Sequence, residues 1–273
     1  MPDPGRPDEL EPCIIIPARF ASTRFPGKPL VRLKGRGGVQ RTLVEWSWRA
    51  ASAVKGPERV VVATDDRRIA AEVERFGGVA VMTPSECTNG TERCAAAIME
   101  MASVPDIIVN FQGDAPLTPP AFVAALIQRL GAEQTLAMAT PAIPCRGDTL
   151  RHLMVDRSAG RIGGTTVVFN RSGHALYFSK TVIPHVPAGE AFDSDHVHLH
   201  LGLYAYRRDA LAAYRHAPTS PLELIEGLEQ LRFLDMGLAV GVVVCEPPEG
   251  STIELNNPTD VVIIERELVQ KAI

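Results

Sequence analysis

Three cations crowd one short stretch of the sequence, Arg19, Arg24 and Lys28 in PARFASTRFPGKPL at residues 17–30. Guanidinium forks and an ammonium on a loop stiffened by prolines suit the oxygens of a triphosphate, and Gly27 would let backbone N–H groups approach them. The loop carries neither a Walker pattern nor GxGxxG, which argues against a P-loop and against a dinucleotide fingerprint. A second candidate is Asp114 in FQGDAPL, residues 111–117, a lone carboxylate at a strand end beside a glycine. One or two carboxylates with phosphate oxygens and water make a magnesium site. A third is NGTERC, residues 89–94, where Gly90 and Thr91 open a helix whose first turn offers donors to a nucleotide.

A fourth group is polar and aromatic: His200, Tyr204 and Tyr206 in LHLGLYAYR, then Glu229, Gln230 and Arg232 in LEQLR. Strand alternation puts the first three on one face together with Gly202. Such a face can read a polyhydroxylated acid or form a buried or dimer-forming surface. The histidines show no HExxH spacing, and His196, His198 and His200 alternate without a cysteine or a clear carboxylate partner to complete a metal set.

These residues need a frame. Apolar runs at 13–16, 59–63, 79–82, 106–110 and 136–140 alternate with helical periodicity over 42–54, 67–76, 91–101 and 119–130. Continuous apolar strands between amphipathic helices predict a mainly parallel sheet covered on both faces, with ligands at the carboxyl ends of its strands. The loops at 17–29, 63–66 and 111–117 follow those strands. From about 145 to 206 the pattern shifts to short alternating strands, a smaller antiparallel region. A long helix over 221–236, a strand over 239–245 and a closing helix from about 258 complete an α/β chain.

Composition sets bounds. The 273 residues, 45% of them hydrophobic, can bury one large core, expected over 13–273, and residues 1–12 read as a disordered tail without a signal peptide's apolar stretch. A net charge of −4 with no basic block argues against nucleic acid, and no run is long enough to cross a bilayer. Five cysteines without a CxxC pair fit a reducing cytoplasm.

Taken in order, IIIPARFASTRFPGKPL, VVATDD, MTPSECTNGTER, NFQGDAPL, HALYFSK, HLGLYAYR, PLELIEGLEQLR and NNPTD resemble the CMP-Kdo synthetases, the 3-deoxy-manno-octulosonate cytidylyltransferases of lipopolysaccharide biosynthesis. The resemblance implies a three-layer Rossmann-like nucleotidyltransferase fold, a homodimer built on the antiparallel region, CTP as donor and Mg²⁺ as cofactor. It implies Arg19, Lys28 and Asp114 as the catalytic set. Pro17, Ala18, Arg19, Arg24, Lys28, Thr64, Asp65, Asn89, Gly90, Thr91, Arg93 and Gln112 would hold the nucleotide. Gln112, Lys180, His200, Tyr204, Glu229 and Gln230 would face the acceptor, and Asp114 and Asn256 the metal.

Five positions depart from the family pattern. Ala115 stands for a glutamate, Asn256 for a metal-binding aspartate, Thr166 for a lysine, and Lys180 and Leu199 for arginines. Glu254, two residues before Asn256, is a candidate to compensate. The departures leave open a small phosphonate as acceptor, whose oxygen is already ionised, and a non-catalytic nucleotide-binding role. A nicotinamide-dependent oxidoreductase on a similar sheet is disfavoured by the absent GxGxxG.

Overall fold

In a computed structural model, residues 10–22, 24–57, 59–186, 196–248, 250 and 253–271 are described. The elements run β1 (Pro12–Ala18), β2 (Arg32–Lys34), β3 (Gln40–Thr42), α1 (Leu43–Ser52), β4 (Arg59–Thr64), α2 (Arg67–Arg75), β5 (Val79–Met82), α3 (Gly90–Met99), β6 (Ile107–Asn110) and α4 (Pro120–Ala132). Then follow β7 (Leu136–Pro144), α5 (Gly147–Ser158), β8 (Thr166–Phe169), β9 (Ala175–Ser179), β10 (His198–His200), β11 (Tyr204–Arg207), α6 (Arg208–His216), α7 (Pro221–Glu226), α8 (Leu231–Asp235), β12 (Ala239–Val244) and α9 (Asp260–Gln270).

The apolar run of β1 feeds two cores. Cys13 and Ile15 pack with Cys94 and Ile98 of α3, Leu211 of α6 and Phe233 of α8. Ile14 and Ile16 point the other way, to Val44 of α1, Ile69 of α2 and Leu126 of α4. Successive strand residues face opposite sides, so a strand covered on both must be apolar throughout. Each fully buried isoleucine contributes about 1.5–3 kcal/mol.

One ten-stranded sheet has the order β5-β4-β1-β6-β11-β7-β10-β8-β9, with β12 also pairing β7. The strands β5, β4, β1 and β6 are parallel, as expected, and β12 runs parallel to β7. Helices on both faces complete the three-layer arrangement. The antiparallel strands of 145–206 extend this sheet, and β11 is inserted between β6 and β7. That stretch also holds α5, which the alternation reading did not find. A separate two-stranded sheet, β2 with β3, packs with α9 through Leu33, Ile264 and Leu268.

Two expected elements differ. The helix expected over 221–236 is two short helices, because Gly227 takes a left-handed conformation (φ 61°) and ends α7. Glu229 and Gln230 therefore lie in a connection, off any regular helix face. The run LHLGLYAYR is likewise two strands, interrupted at 201–203. Of the tail expected at 1–12, residues 1–9 lie outside the described residues; Leu10 packs against the second core and Pro12 already belongs to β1. Asp195, beside the alternating histidines, also lies outside them.

Candidate functional site

The loops that follow β1 and β6 and the segment leading into α3 enclose a cleft of about 260 Å³. Pro17, Ala18, Arg19, Arg24, Lys28, Asn89, Gly90, Arg93, Gln112, Asp114 and Asn256 line it. The loop at 111–117 reaches β1 because Gly113 has no side chain: a Cβ there would sit 2.6 Å from the Pro17 carbonyl oxygen. Ser47 of α1 donates to the Gly113 carbonyl at 2.9 Å and fixes that approach.

Lys28 reaches across this junction. Its Nζ lies 2.6 Å from Asp114 Oδ2, with both side chains mostly buried. Arg24 Nη2 donates to Asn256 Oδ1 at 3.2 Å, and Leu255 N donates to the Asp114 carbonyl at 2.8 Å, which brings the segment before α9 to the cleft wall. Residues 253–256 form no strand, so Glu254 and Asn256 are brought together by this loop and not by strand alternation; Asn256 Nδ2 donates to Glu254 Oε2 at 3.5 Å. Burial, and then the charge of Asp114, pushes the Glu254 carboxyl up to about 7.

The first loop differs from expectation in one respect. The Gly27 N–H donates to the Phe20 carbonyl at 3.0 Å and the Lys28 N–H to the Phe25 carbonyl at 3.3 Å. These two donors close the loop on itself, so the N–H groups of Gly27 and Lys28 are spent within the protein and their part of the loop offers an anion its side chains.

Asn89 caps α3, its side chain accepting from Glu92 N at 2.8 Å, one residue before the Gly90 and Thr91 that open the helix. Thr91 instead spends its groups inward: its N–H donates to Glu229 Oε2 at 3.1 Å and its hydroxyl meets the Tyr206 hydroxyl at 2.6 Å. Arg93 is buried and fixed by Thr83 Oγ1 at 2.7 Å and Asp65 Oδ2 at 3.2 Å. The other Asp65 oxygen has no hydrogen-bond partner among the described residues. Thr64 is fully buried, and its hydroxyl accepts from the Asp66 N–H at 3.2 Å.

The candidate acceptor residues divide. Gln112 lines the cleft; Lys180, His200, Tyr204, Glu229 and Gln230 line neither it nor the smaller recess beside it. His200 and Tyr204 do share a side, in a chain of rings running Phe178, His200, Tyr204, Tyr206, Phe233, Tyr214 with neighbouring centroids 4.8–5.9 Å apart. They are buried core residues. Thr140 Oγ1 donates to the Leu203 carbonyl, so His200 Nε2, 2.9 Å away, is the donor to Thr140 and carries the ring proton. Burial lowers the His200 pKa to about 3.

Tyr204 donates to Gln230 Oε1 at 3.3 Å, and the Gln230 Nε2 is buried with no partner among the described residues. Burial raises the Glu229 carboxyl to about 7, against the Thr91 N–H that favours its charged form. The Lys180 N–H donates to Glu226 Oε2 at 2.9 Å.

Sequence reading missed Ser22, Cys87 and Thr88 on the cleft wall, residues with no distinctive spacing. It also missed the buried pairing of Arg232 with Glu223 at 2.6 Å and with Glu92 at 3.2 Å, which ties α8 to the first turn of α3. The Glu223 side of that network had a legible signal, since Ser220 followed three residues later by Glu223 is a capping box.

Among the described residues no group of three or more His, Cys, Asp or Glu could hold a metal ion. An all-oxygen set of Asp114 with the Asn256 amide fits a hard cation that draws its remaining ligands from phosphate and water. The Asn256 oxygen accepts one hydrogen bond from Arg24, and an anion in the cleft would compete for that guanidinium. No helix among the described residues is long and apolar enough to cross a membrane.

Residues 13–240 match the family model described as Cytidylyltransferase. The 3-deoxy-manno-octulosonate cytidylyltransferase of Maricaulis maris (strain MCS10) is 44% identical over 251 residues, covering 92% of this chain and 94% of its own. That of Chlamydia abortus (strain DSM 27085 / S26/3) is 37% identical over 254 residues, covering 93% and 92%. Among solved structures, CMP:2-keto-3-deoxy-manno-octonic acid synthetase complexed with CTP superposes with a TM-score of 0.82 at 31% identity, covering 96% of this chain and 99% of that one.

Proposed function

The chain belongs to the cytidylyltransferase family, and on that premise we propose that it moves CMP from CTP to 3-deoxy-manno-octulosonate or a closely related ulosonic acid, releasing pyrophosphate. The observation that carries the reading is the cleft itself, where Arg19, Arg24 and Lys28 converge with Asp114 beside the start of α3. The names and extent of the relatives support the acceptor class.

An acceptor oxygen attacks the α-phosphorus in line; the new P–O bond forms as the α–β bridge breaks, and the acceptor gives up its proton. Little covalent work falls to the protein. Arg19, Arg24 and Lys28 hold the β- and γ-phosphates and offset the charge that builds on departing pyrophosphate. Arg93, locked by Thr83 and Asp65, gives the nucleoside end a fixed wall. Magnesium belongs to this proposal: Asp114, with Asn256, would hold it, and when bound it neutralises phosphate charge.

A two-copy assembly is also proposed. Leu176 on β9, at the end of the sheet, and Leu224 and Ile225 on α7 are 61%, 72% and 80% exposed, large apolar side chains that a second copy would cover. A location in the cytoplasm is part of the same reading.

The test is pyrophosphate release from CTP and Mg²⁺ with a panel of ulosonic acids and small phosphonates. Turnover with the octulosonate is expected; turnover with a phosphonate alone, or CTP binding with no turnover across the panel, overturns it.

A further inference from the structure

Beside the donor cleft lies a second recess of about 30 Å³, lined by Gln112, Ala115, Phe122, Gly202, Leu203 and Glu254 among others. Gln112 belongs to both hollows, so they share a wall. A water-sized group needs about 10–15 Å³, so the recess has room for two such groups, the size of a hydroxymethyl. Most of its lining is apolar, with Gln112 and Thr118 the neutral polar residues. Its one ionisable group is the Glu254 carboxyl.

That carboxylate is partly satisfied. Oε2 receives only the long 3.5 Å contact from Asn256 Nδ2, and no hydrogen bond reaches Oε1 among the described residues. Oε1 points toward Gly202, lying 3.5 Å from where a Cβ on that residue would be, and Gln112 Cγ is 3.9 Å from the same point. The small residues 115 and 202 leave the space open; a carboxylate with a free lone pair against Phe122 and Leu203 makes it suited to a hydrogen-bond donor on a short carbon stub.

The geometry points to this recess as a subsite for the acceptor's hydroxymethyl end, with Glu254 receiving its hydroxyl and thereby setting acceptor length. The inference rests on the ulosonate reading above. It gives Ala115 a role: the small residue clears the recess that Glu254 then lines. Glu254 acts here on the acceptor and not on the donor or on the cation.

The experiment measures KM for CTP, KM for acceptor and the half-saturating Mg²⁺ concentration in the unaltered protein, Glu254→Ala, Glu254→Gln and Gly202→Ala. Two acceptors are used: 3-deoxy-manno-octulosonate and its analogue shortened by the terminal hydroxymethyl. Glu254→Ala is expected to raise KM for the full-length acceptor about tenfold, the scale of a lost hydrogen bond to a charged group. It should leave KM for the shortened one, KM for CTP and the Mg²⁺ requirement within about twofold. Glu254→Gln, which keeps an accepting oxygen, should recover most of the loss. Gly202→Ala narrows the recess without touching a charge and should penalise only the full-length acceptor.

Equal losses on both acceptors, or a shifted Mg²⁺ requirement with unchanged acceptor KM, overturn the subsite while leaving the cytidylyltransferase reading intact. Failure of the unaltered protein to turn over either acceptor overturns both. CTP binding by calorimetry and a thermal melt on each variant separate lost folding from a lost contact.

Discussion

Lys28 Nζ and Asp114 Oδ2 stand 2.6 Å apart across the junction of two loops that are 86 residues apart in sequence. The pair holds a cation and a carboxylate where a triphosphate and its counter-ion would meet, and each partly compensates the other's charge. Lys28→Ala and Asp114→Ala are each expected to cut turnover at least about tenfold, the scale for removing one positioned charge from phosphoryl chemistry. Pyrophosphate release at saturating CTP checks it; near-normal rates in both would place the chemistry elsewhere.

Arg93 makes a different prediction, because its side chain is 3% exposed and Asp65 depends on it. Arg93→Ala strands a mostly buried carboxylate and should destabilise the fold by about 3 kcal/mol. Chemical denaturation reads the loss directly. The companion Asp65→Asn, which removes the stranded charge, should recover part of it when combined with Arg93→Ala.

His200 predicts a pH effect whose sign follows from burial. Its folded pKa is lowered to about 3 from 6.5, so below pH 6.5 the unfolded chain takes up a proton that the folded chain refuses. This term is fully present above pH 6.5 and is lost progressively as pH falls toward 3. At pH 5 the loss is about 2 kcal/mol. His200→Gln keeps a donor for Thr140 without the titration, so the gap in stability between the original protein and the variant should narrow by that amount between pH 7 and pH 5. Urea unfolding at the two pH values measures it, and a constant gap would contradict the assignment.

The exposed side chains of α7 yield a test of assembly. Ile225→Glu, alone or with Leu224→Glu, should shift the protein to a monomer in analytical ultracentrifugation, with little change in melting temperature at low concentration. Unaltered sedimentation would remove α7 from the interface.

How much of this was legible beforehand depends on the range of the forces involved. The strand at 13–16 and the cleft cations could be read because an unbroken apolar run and a cluster of charges are local facts. Gln112, Asp114 and Gly113 were readable for the same reason, although only the fold reveals that Gly113 abuts the Pro17 carbonyl. The break at Gly227 was missed because amphipathic periodicity continues across it, and one left-handed residue outweighed that pattern. His200 and Tyr204 share a side as alternation suggested, yet they face a stack of aromatic rings and not the cleft; alternation gives a face, and only packing says what lies against it. Glu254 stands out for its spacing, whereas the recess it lines is formed by residues from three separate stretches and leaves no trace in any one of them.

The contact between Arg24 and Asn256 spans 232 residues. During synthesis, the loop that carries Arg19, Arg24 and Lys28 leaves the ribosome well before its opposite wall, which follows some 232 residues later. A nascent chain stopped before residue 253 lacks Leu255, whose N–H braces Asp114, and has no Asn256 to engage Arg24. The cleft thus matures only after all twelve strands of the described residues have been made, and on the proposed function nucleotide affinity becomes a late marker of folding: a chain that retains CTP would already have brought these two distant segments together.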